Sequence, residues 1–236
     1  KRLIWIVALI RACQNSPMQP DLFLNPAEPS DTFDHPLSLS LGEQCVRVYP
    51  HFVSSASSVS LFNEVKATTA WRQDTIRIAG RTIAVPRLQC WMGDAHCRYA
   101  YSGIPLVPVK WTDTLREIRD QVSAVTGLPL NCVLANLYRD GSDSVAWHAD
   151  DEPQLGESPA IVSVSLGESR KFQFKRKPRL GLSEEQLTER HEILLETGML
   201  VLMEPGVQEH WVHQVPKTKR PVGARINLTF RYITSR

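Results

Sequence analysis

The chain has 236 residues, of which 42% are hydrophobic and 22% charged, and its 27 basic and 25 acidic side chains leave a formal charge of +2. This composition is typical of a globular protein with one large or two small domains, and it excludes collagen, a coiled coil and wholesale disorder. The net charge is too small to indicate a nucleic-acid partner by itself, so any basic signal must be local.

The first 45 residues are expected to lie outside the folded domain. Residues 17–36 are rich in Pro, Asp, Asn and Ser without a sustained apolar period, which is typical of a tail or a loosely docked extension. We therefore predict a flexible extension over residues 1–45, part of it upstream sequence, and a folded domain over residues 46–236. The apolar run at residues 3–10 follows two basic residues, but a signal peptide at residues 1–17 is disfavoured.

The cysteine content indicates a reducing compartment. Five cysteines form no C-x-x-C pair, and an odd number in a chain of this length argues against a disulfide framework.

The apolar run at residues 3–10 is far shorter than the roughly 20 residues of a membrane-spanning helix. We expect a cytoplasmic protein with no membrane partner.

Two helices are predicted in the first half of the domain. Residues 54–70 show apolar residues at helical spacing behind serines that could cap a helix. A second helix is predicted around residues 114–127, where Thr114 and Glu117 form a capping-box pattern and Gly127 supplies a stop. Between these helices, residues 76–85 are predicted to form a β-hairpin around Ala79-Gly80 that carries Arg77 and Arg81.

From residue 131 onward, β-prone segments follow one another. They cover residues 133–138, 161–166, 171–175, 192–195, 199–203 and 225–233. Successive strands without intervening helices favour two packed antiparallel sheets or a barrel over repeated βαβ units. The predicted fold class is mainly β with flanking helices (α+β).

One short segment concentrates potential metal ligands. In an extended chain, residues i and i+2 point to the same side, so His148 and Asp150 can present an imidazole and a carboxylate to one ion. A third ligand could come from His210 or His213 on a second strand. Two histidines and one carboxylate leave three positions of an octahedron open, which is the arrangement of non-haem Fe(II) oxygenases. Zinc also accepts this donor set.

The last predicted strand has one polar and one apolar face. Arg225, Asn227, Thr229 and Arg231 alternate with Ile226, Leu228, Phe230 and Tyr232. Two arginines on an inner face need anionic partners, and a dicarboxylate cosubstrate would supply them. Asn136 and Tyr138, which also share a face, could add an amide and a phenol to the same pocket.

Taken in order, these motifs closely resemble the AlkB family of Fe(II)- and 2-oxoglutarate-dependent dioxygenases, and most of all the branch that repairs alkylated DNA. The resemblance extends from about residue 86 to residue 232. It rests on Pro86-Arg87, Tyr101-Ser102-Gly103, Asn136-Leu137-Tyr138, His148-Ala149-Asp150-Asp151-Glu152, Ser163-Val164-Ser165-Leu166-Gly167, His213 followed by Pro216, and Arg225-Ile226-Asn227-Leu228-Thr229-Phe230-Arg231. The fold that it implies is a double-stranded β-helix (jelly roll) of two packed antiparallel sheets.

The resemblance also implies a cofactor set and a reaction. His148, Asp150 and His213 would hold Fe(II), with His213 preferred to His210 because the family's distal ligand precedes a short turn containing Pro. Arg231 would pair with the distal carboxylate of 2-oxoglutarate. The rest of the cosubstrate site would comprise Asn136, Tyr138, Arg225, Asn227 and Thr229. With O2, such an enzyme hydroxylates a methyl group on a base nitrogen of DNA, and of RNA as a further substrate, as in 1-methyladenine or 3-methylcytosine, and releases formaldehyde. An enzyme of this kind is expected to be a monomer of bacterial type.

Substrate contacts are implied around the same site. Tyr101 would stack on a flipped base opposite His148 with Tyr99 nearby, and Asp151 and Glu152 would face the base. The hairpin with Arg77 and Arg81 falls where the family carries its nucleotide-recognition lid; it lacks a large aromatic at its tip, which favours single strands over duplex DNA. Phosphate contacts are expected from Arg170, Lys171, Lys175, Arg176, Lys177 and Arg179, and from Lys217, Lys219 and Arg220.

Two alternatives remain open at this point. The same iron chemistry could act on RNA, on a protein side chain or on a lipid. The chain could also be a non-catalytic nucleic-acid-binding sandwich, which is disfavoured because the metal ligands and both strand arginines are all present. The open cosubstrate pocket favours iron over zinc.

Overall fold

The strands of the computed structural model pair into two large antiparallel sheets and two separate hairpins. The structure describes residues 36–78, 80–97, 99–101, 104–106 and 108–234. The strands are β1 Leu37–Leu41, β2 Gln44–Tyr49, β3 Thr75–Ile78, β4 Arg81–Ala84, β5 Leu88–Gly93, β6 Tyr99–Tyr101, β7 Ile104–Leu106, β8 Cys132–Tyr138, β9 Val145–His148, β10 Ile161–Gly167, β11 Arg170–Arg176, β12 Arg190–Leu195, β13 Leu200–Met203, β14 Trp211–Val215 and β15 Arg225–Arg231. The helices are α1 Ser55–Thr68, α2 Asp113–Thr126, α3 Glu184–Thr188 and α4 Val207–His210.

The two large sheets have different roles in the core. The seven-stranded sheet has the order β1-β2-β13-β10-β15-β8-β5, and the four-stranded sheet has the order β12-β11-β14-β9. One apolar cluster packs α1 and α2 against the outer face of the larger sheet through residues such as Leu61, Ile118 and Phe230. A second cluster, which includes Phe172, Phe174 and Trp211, fills part of the space between the sheets. This arrangement confirms the predicted mainly β fold with flanking helices.

Strand β15 shows why the alternation in its sequence matters. Ile226, Leu228 and Phe230 are fully buried on the face that packs against the helices. The intervening polar residues are equally shielded from solvent, with Arg225 at 1% and Arg231 at 4% exposure. Because neighbouring side chains of a strand point to opposite faces, these polar residues project into the space between the two sheets.

Two sequence predictions need correction. The sheet begins at Leu37, before the expected domain start at residue 46, because β1 pairs with β2 along its whole length. The alternating leucines of β1 are a strand signal directly after a segment rich in turn-forming residues. Helix α2 is capped by Thr112, whose side chain accepts a hydrogen bond from the Leu115 N–H, and not by Thr114. The predicted stop at Gly127 is confirmed by its left-handed φ of 71°.

Within the described residues, no helix is both long and apolar enough to cross a membrane. The residues proposed for a signal peptide, 1–17, lie outside the described part of the chain.

We predict that Gly198→Ala destabilises the fold more than Gly181→Ala. Both glycines have positive φ values, 79° and 87°, which cost any other residue about 1 kcal/mol or more. An added methyl group at Gly181 meets no atom within 4 Å, whereas at Gly198 it collides with the carbonyl oxygen of Val53. We expect a loss of about 1 kcal/mol for the Gly181 variant and at least about twice that for the Gly198 variant in urea unfolding. Equal losses would contradict the steric argument.

Candidate metal and cosubstrate site

Three potential metal ligands converge where the four-stranded sheet faces the larger one. His148 ends β9, Asp150 follows it, and His213 lies on β14 directly opposite His148. Ligand atoms of the three side chains lie within 4.8 Å of one another. His213 Nε2 is 3.6 Å from Asp150 Oδ2, and the two imidazole rings are 4.3 Å apart between centroids. His210 lies outside this group and contacts Arg179 at 2.7 Å.

The orientation of His148 suits metal binding. Its Nδ1 lies 2.9 Å from the carbonyl oxygen of Ala146, which can only accept a hydrogen bond. The proton therefore belongs on Nδ1, and the lone pair of Nε2 is left for a ligand. His148 is only partly buried, so the triad is open to solvent on this side.

Asp150 is held by an ion pair that crosses between the sheets. Its Oδ1 accepts from Nη2 of Arg231 at 2.5 Å, and both side chains are 5% exposed. Burial alone would raise the pKa of Asp150, but the positive charge of Arg231, helped by the two imidazoles, lowers the pKa below its usual value. The carboxylate is therefore ionised at neutral pH.

His213 is kept neutral by its surroundings. Burial, followed by the neighbouring His148, lowers the pKa of His213 from 6.5 to about 3 against the opposing effect of Asp150. The rings of Phe172 and Phe174 pack beside it, at 5.2 Å and 6.2 Å between centroids. Metal ligands must be deprotonated. A neutral imidazole and an ionised carboxylate meet this requirement, so the residues fit a divalent ion.

A polar network extends from the triad along the inner face of β15. Arg225 Nη2 donates to Ser165 Oγ at 2.9 Å and to Asn227 Oδ1 at 3.0 Å. Asn227 Nδ2 donates to Thr229 Oγ1 at 2.6 Å. Strand register places Arg225 opposite Tyr138, whose ring lies 5.2 Å from the guanidinium carbon. The predicted cosubstrate residues are therefore neighbours on two paired strands.

Buried positive charge exceeds buried negative charge around this network. Arg87, Arg170 and Arg225 are at most 7% exposed and form no ion pair among the described residues. Arg87 bonds to Asn136 Oδ1 and the Ser144 carbonyl, and Arg170 bonds only to backbone carbonyls. Burial lowers the pKa of Arg225 to about 10, so it remains a cation at neutral pH. An interior with unpaired guanidiniums favours an anionic ligand.

The cavity between the sheets joins the triad to this network. It opens to solvent, and its walls include His148, Asp150, His213, Asn136, Tyr138 and Arg231. The resemblance assigns Arg231 to the distal carboxylate of 2-oxoglutarate. Because Arg231 pairs with Asp150, its guanidinium lies beside the potential metal ligands. Arg225 lies at the opposite end of β15.

The residues predicted to contact a substrate lie around the mouth. Asp151 is exposed and forms an ion pair with Lys177 at 2.8 Å, so its carboxylate is engaged. Glu152 is partly buried beside it. Arg77 and Arg81 are exposed on the β3–β4 hairpin. Tyr99 and Tyr101 lie in β6, but their side chains are outside what the structure describes, as is Ala79.

Four of the six basic residues predicted as phosphate contacts on and after β11 pair with acidic side chains, whereas Lys175 packs on the ring of Trp147. Arg170 is buried, Arg176 packs on Trp211 and pairs with Glu189, and Lys171 pairs with Glu192. Lys177 pairs with Asp151 and Arg179 with Glu209. By contrast, Lys217, Lys219 and Arg220 are exposed and form no ion pair with any described residue. The loop after β14 is therefore the stronger candidate for phosphate contacts.

Several residues of the site carried little or no signal in the sequence. In the sequence, Arg87 stands out only as part of the Pro86-Arg87 motif. In the structure, Arg87 and Gln89 both donate hydrogen bonds to Asn136 Oδ1. Ser165 occupies the polar face of a strand that otherwise reads as apolar. Gln208 lies in the short helix α4, and no local pattern could show that it contacts Asp150.

Comparison with known proteins agrees with this geometry. The model of the 2OG-Fe(II) oxygenase superfamily matches residues 37–231. The chain is 40% identical to the DNA oxidative demethylase ALKBH2 of Mus musculus over 158 residues, covering 67% of this chain and 66% of the relative. It is 37% identical to the alpha-ketoglutarate-dependent dioxygenase alkB homolog 3 of Homo sapiens over 200 residues, covering 84% and 69%. The chain belongs to the AlkB family of Fe(II)- and 2-oxoglutarate-dependent dioxygenases.

The AlkB-family fold also matches a solved structure. The structure of OsALKBH1 superposes with a TM-score of 0.53 at 17% identity, over 79% of this chain and 97% of that one. At this identity the likeness concerns the fold alone. The chain spans about two thirds of the length of the relatives that it matches in sequence. As a member of the family, it uses Fe(II), 2-oxoglutarate and O2.

We predict that His213 makes the metal-free protein sensitive to mild acid. Its pKa is about 3 in the folded state and 6.5 in the unfolded chain, so acid favours the unfolded chain, which takes up the proton. The stabilisation is complete above pH 6.5 and is lost as the pH falls towards 3. Between pH 7 and pH 5 the expected loss is up to about 2 kcal/mol.

The measurement is urea unfolding at both pH values in the presence of a chelator. His213→Asn should lack this component of the pH dependence, whereas the same substitution at exposed His51 should retain it. An identical pH dependence in wild type and His213→Asn would refute the prediction.

Proposed function

We propose that the protein is an oxidative demethylase of N-alkylated bases in DNA, with RNA as a further substrate class. The observation that carries the proposal is the convergence of His148, Asp150 and His213 beside a buried pocket with excess positive charge. Relatives named DNA oxidative demethylase and alpha-ketoglutarate-dependent dioxygenase support both the reaction and the substrate class. The exposed basic loop after β14 supports a polyanionic substrate.

The three triad residues are proposed to hold Fe(II). When bound, iron with 2-oxoglutarate and O2 supplies the oxidant that hydroxylates the N-methyl group while the keto acid becomes succinate and CO2. The Ala146 carbonyl fixes the tautomer of His148, and Arg231 fixes the Asp150 carboxylate. The hydroxymethyl group then leaves the base as formaldehyde.

The cosubstrate is proposed to lie along the inner face of β15. Arg225 would receive its distal carboxylate, since Arg231 is committed to Asp150 and Arg225 has no carboxylate partner among the described residues. A guanidinium binds a carboxylate through paired charge-assisted hydrogen bonds. Tyr138, Asn136, Asn227 and Thr229 would line the chain of the diacid and exclude water from it.

The alkylated base is proposed to enter from the side of His148. A methyl group on the pairing edge is inaccessible within a duplex, so the base must be flipped or come from a single strand. The proposal keeps Tyr99, Tyr101, Asp151 and Glu152 as base contacts and Arg77 and Arg81 as lid contacts. We favour single strands, a monomeric enzyme and a reducing cytoplasmic setting, which agrees with the free thiols of Cys45, Cys90, Cys97 and Cys132.

We predict that Arg225, and not Arg231, discriminates the distal carboxylate. The test compares binding of 2-oxoglutarate with that of 2-oxopentanoate, which has a methyl group in place of that carboxylate, to the Co(II)-loaded protein by calorimetry. Arg225→Met should reduce the preference for 2-oxoglutarate by about 10- to 100-fold, since hydrogen bonds between charged groups contribute about 1.5–3 kcal/mol. Arg231→Met should leave the ratio unchanged. If the preference for 2-oxoglutarate is lost in Arg231→Met but kept in Arg225→Met, Arg231 and not Arg225 binds the distal carboxylate.

The function itself is tested by mass spectrometry of oligonucleotides that carry one 1-methyladenine or 3-methylcytosine. Single- and double-stranded DNA, RNA and a methylated peptide are incubated with Fe(II), 2-oxoglutarate and O2. We expect loss of the methyl group with equimolar formaldehyde and succinate, fastest on single-stranded DNA. Asp150→Ala should abolish turnover, because it removes a proposed ligand together with the negative charge that pairs with Arg231. Asp113→Ala, at an exposed position of α2, is the matched control and should retain turnover. Demethylation that survives rigorous chelation would exclude the proposal.

A further inference from the structure

We propose that Gln208 is a positioning residue that fixes the backbone of Asp150 and thereby sets the metal affinity of the triad. Gln208 lies in α4, the short helix between β13 and β14, and it is completely buried. Its Oε1 accepts a hydrogen bond from the backbone N–H of Asp150 at 2.9 Å. The inference rests on the proposed metal site.

The hydrogen bond to Gln208 satisfies a backbone N–H that the sheet leaves unpaired. Strand β9 is an edge strand and ends at His148, so the N–H of Asp150 lies beyond the last paired residue of the β9–β14 ladder. Asp150 is 3% exposed, and a buried N–H without an acceptor costs about 1–3 kcal/mol. Gln208 supplies that acceptor from a distant part of the chain.

The orientation of the Gln208 amide follows from its partners. A backbone N–H can only donate, so the carbonyl oxygen of the amide must face Asp150. The NH2 group then points to Met203, with Nε2 3.3 Å from Sδ, which is a weak acceptor. Glutamine is seldom fully buried. The thioether of Met203 is a weak acceptor, so this contact alone does not account for an amide at this position.

Together, two residues restrain one ligand at two points. Arg231 holds the carboxylate of Asp150, and Gln208 holds its main chain. Gln208 also lies shortly before His213, because α4 leads directly into β14, the strand that carries His213. The hydrogen bond between Gln208 and Asp150 therefore fixes the distance between the segments that carry Asp150 and His213. Partners that orient metal ligands typically contribute about 10- to 100-fold in metal affinity.

The test measures Co(II) binding by calorimetry and the ligand-field absorption of the Co(II) complex, without any turnover. Gln208→Met removes the acceptor at nearly constant volume and should weaken Co(II) binding by about 10- to 100-fold with a changed absorption band. Burial favours the neutral carboxyl group in Gln208→Glu, which keeps an oxygen acceptor at the same reach and should stay within about threefold of wild type. Once saturated with Co(II), all variants should bind 2-oxoglutarate like wild type.

Gln214→Met is the matched control. Gln214 lies on β14 next to His213, but its amide bonds to Gln173 at 2.8 Å and not to a ligand, so its loss should leave Co(II) affinity unchanged. Unchanged affinity in Gln208→Met, or an equal loss in Gln208→Glu, would overturn the inference. If Gln208→Met does not fold, Gln208→Glu decides alone: retained affinity supports the inference and a tenfold loss overturns it. Failure of the wild-type protein to bind Co(II) would instead refute the proposed metal site.

Discussion

The ion pair between Arg231 and Asp150 joins the two sheets at the point where the chemistry is expected. Asp150 belongs to the loop that leaves the four-stranded sheet, and Arg231 ends β15, an interior strand of the seven-stranded sheet. Both side chains are shielded from water, so loss of the arginine would leave the buried carboxylate without this opposite charge. The pair therefore fixes the position of the carboxylate, keeps it ionised and holds the two sheets in one relative arrangement at the triad.

The two faces of strand β15 have different roles. Its aliphatic and aromatic residues seal the contact with α1 and α2, and its polar residues turn towards the space between the sheets. Register with β8 brings Asn136 opposite Asn227 and Tyr138 opposite Arg225, so one polar surface is assembled from two strands. A shift of one residue in this pairing would move the entire polar set to the wrong face. The apolar packing against the helices thus also secures the cosubstrate residues.

Much of the fold and the ligand set could be predicted because both depend on short-range periodicity. Alternation in β15 and the His148-x-Asp150 spacing are visible in the sequence and need only the geometry of an extended chain. The β1 strand was missed because its leucines follow a segment with tail-like composition. The pairing of Asp151 with Lys177, the neutralised basic run and the contact of Gln208 with Asp150 all join residues far apart in sequence. Such contacts depend on loop paths, for which single-sequence patterns carry no information.

Because buried guanidinium groups outnumber buried carboxylates, binding of a small dicarboxylate is expected to stabilise the folded protein. A dicarboxylate that binds only the native cavity stabilises the protein by mass action, by about 2.7 kcal/mol when its concentration is a hundred times its dissociation constant. On the proposed assignment of Arg225, succinate, the expected product, retains two carboxylates and would meet Arg225 at one end. Product and cosubstrate would then compete for the same cation, and the ratio of the two acids in the cell would set both the stability of the protein and the fraction of it that is free to react.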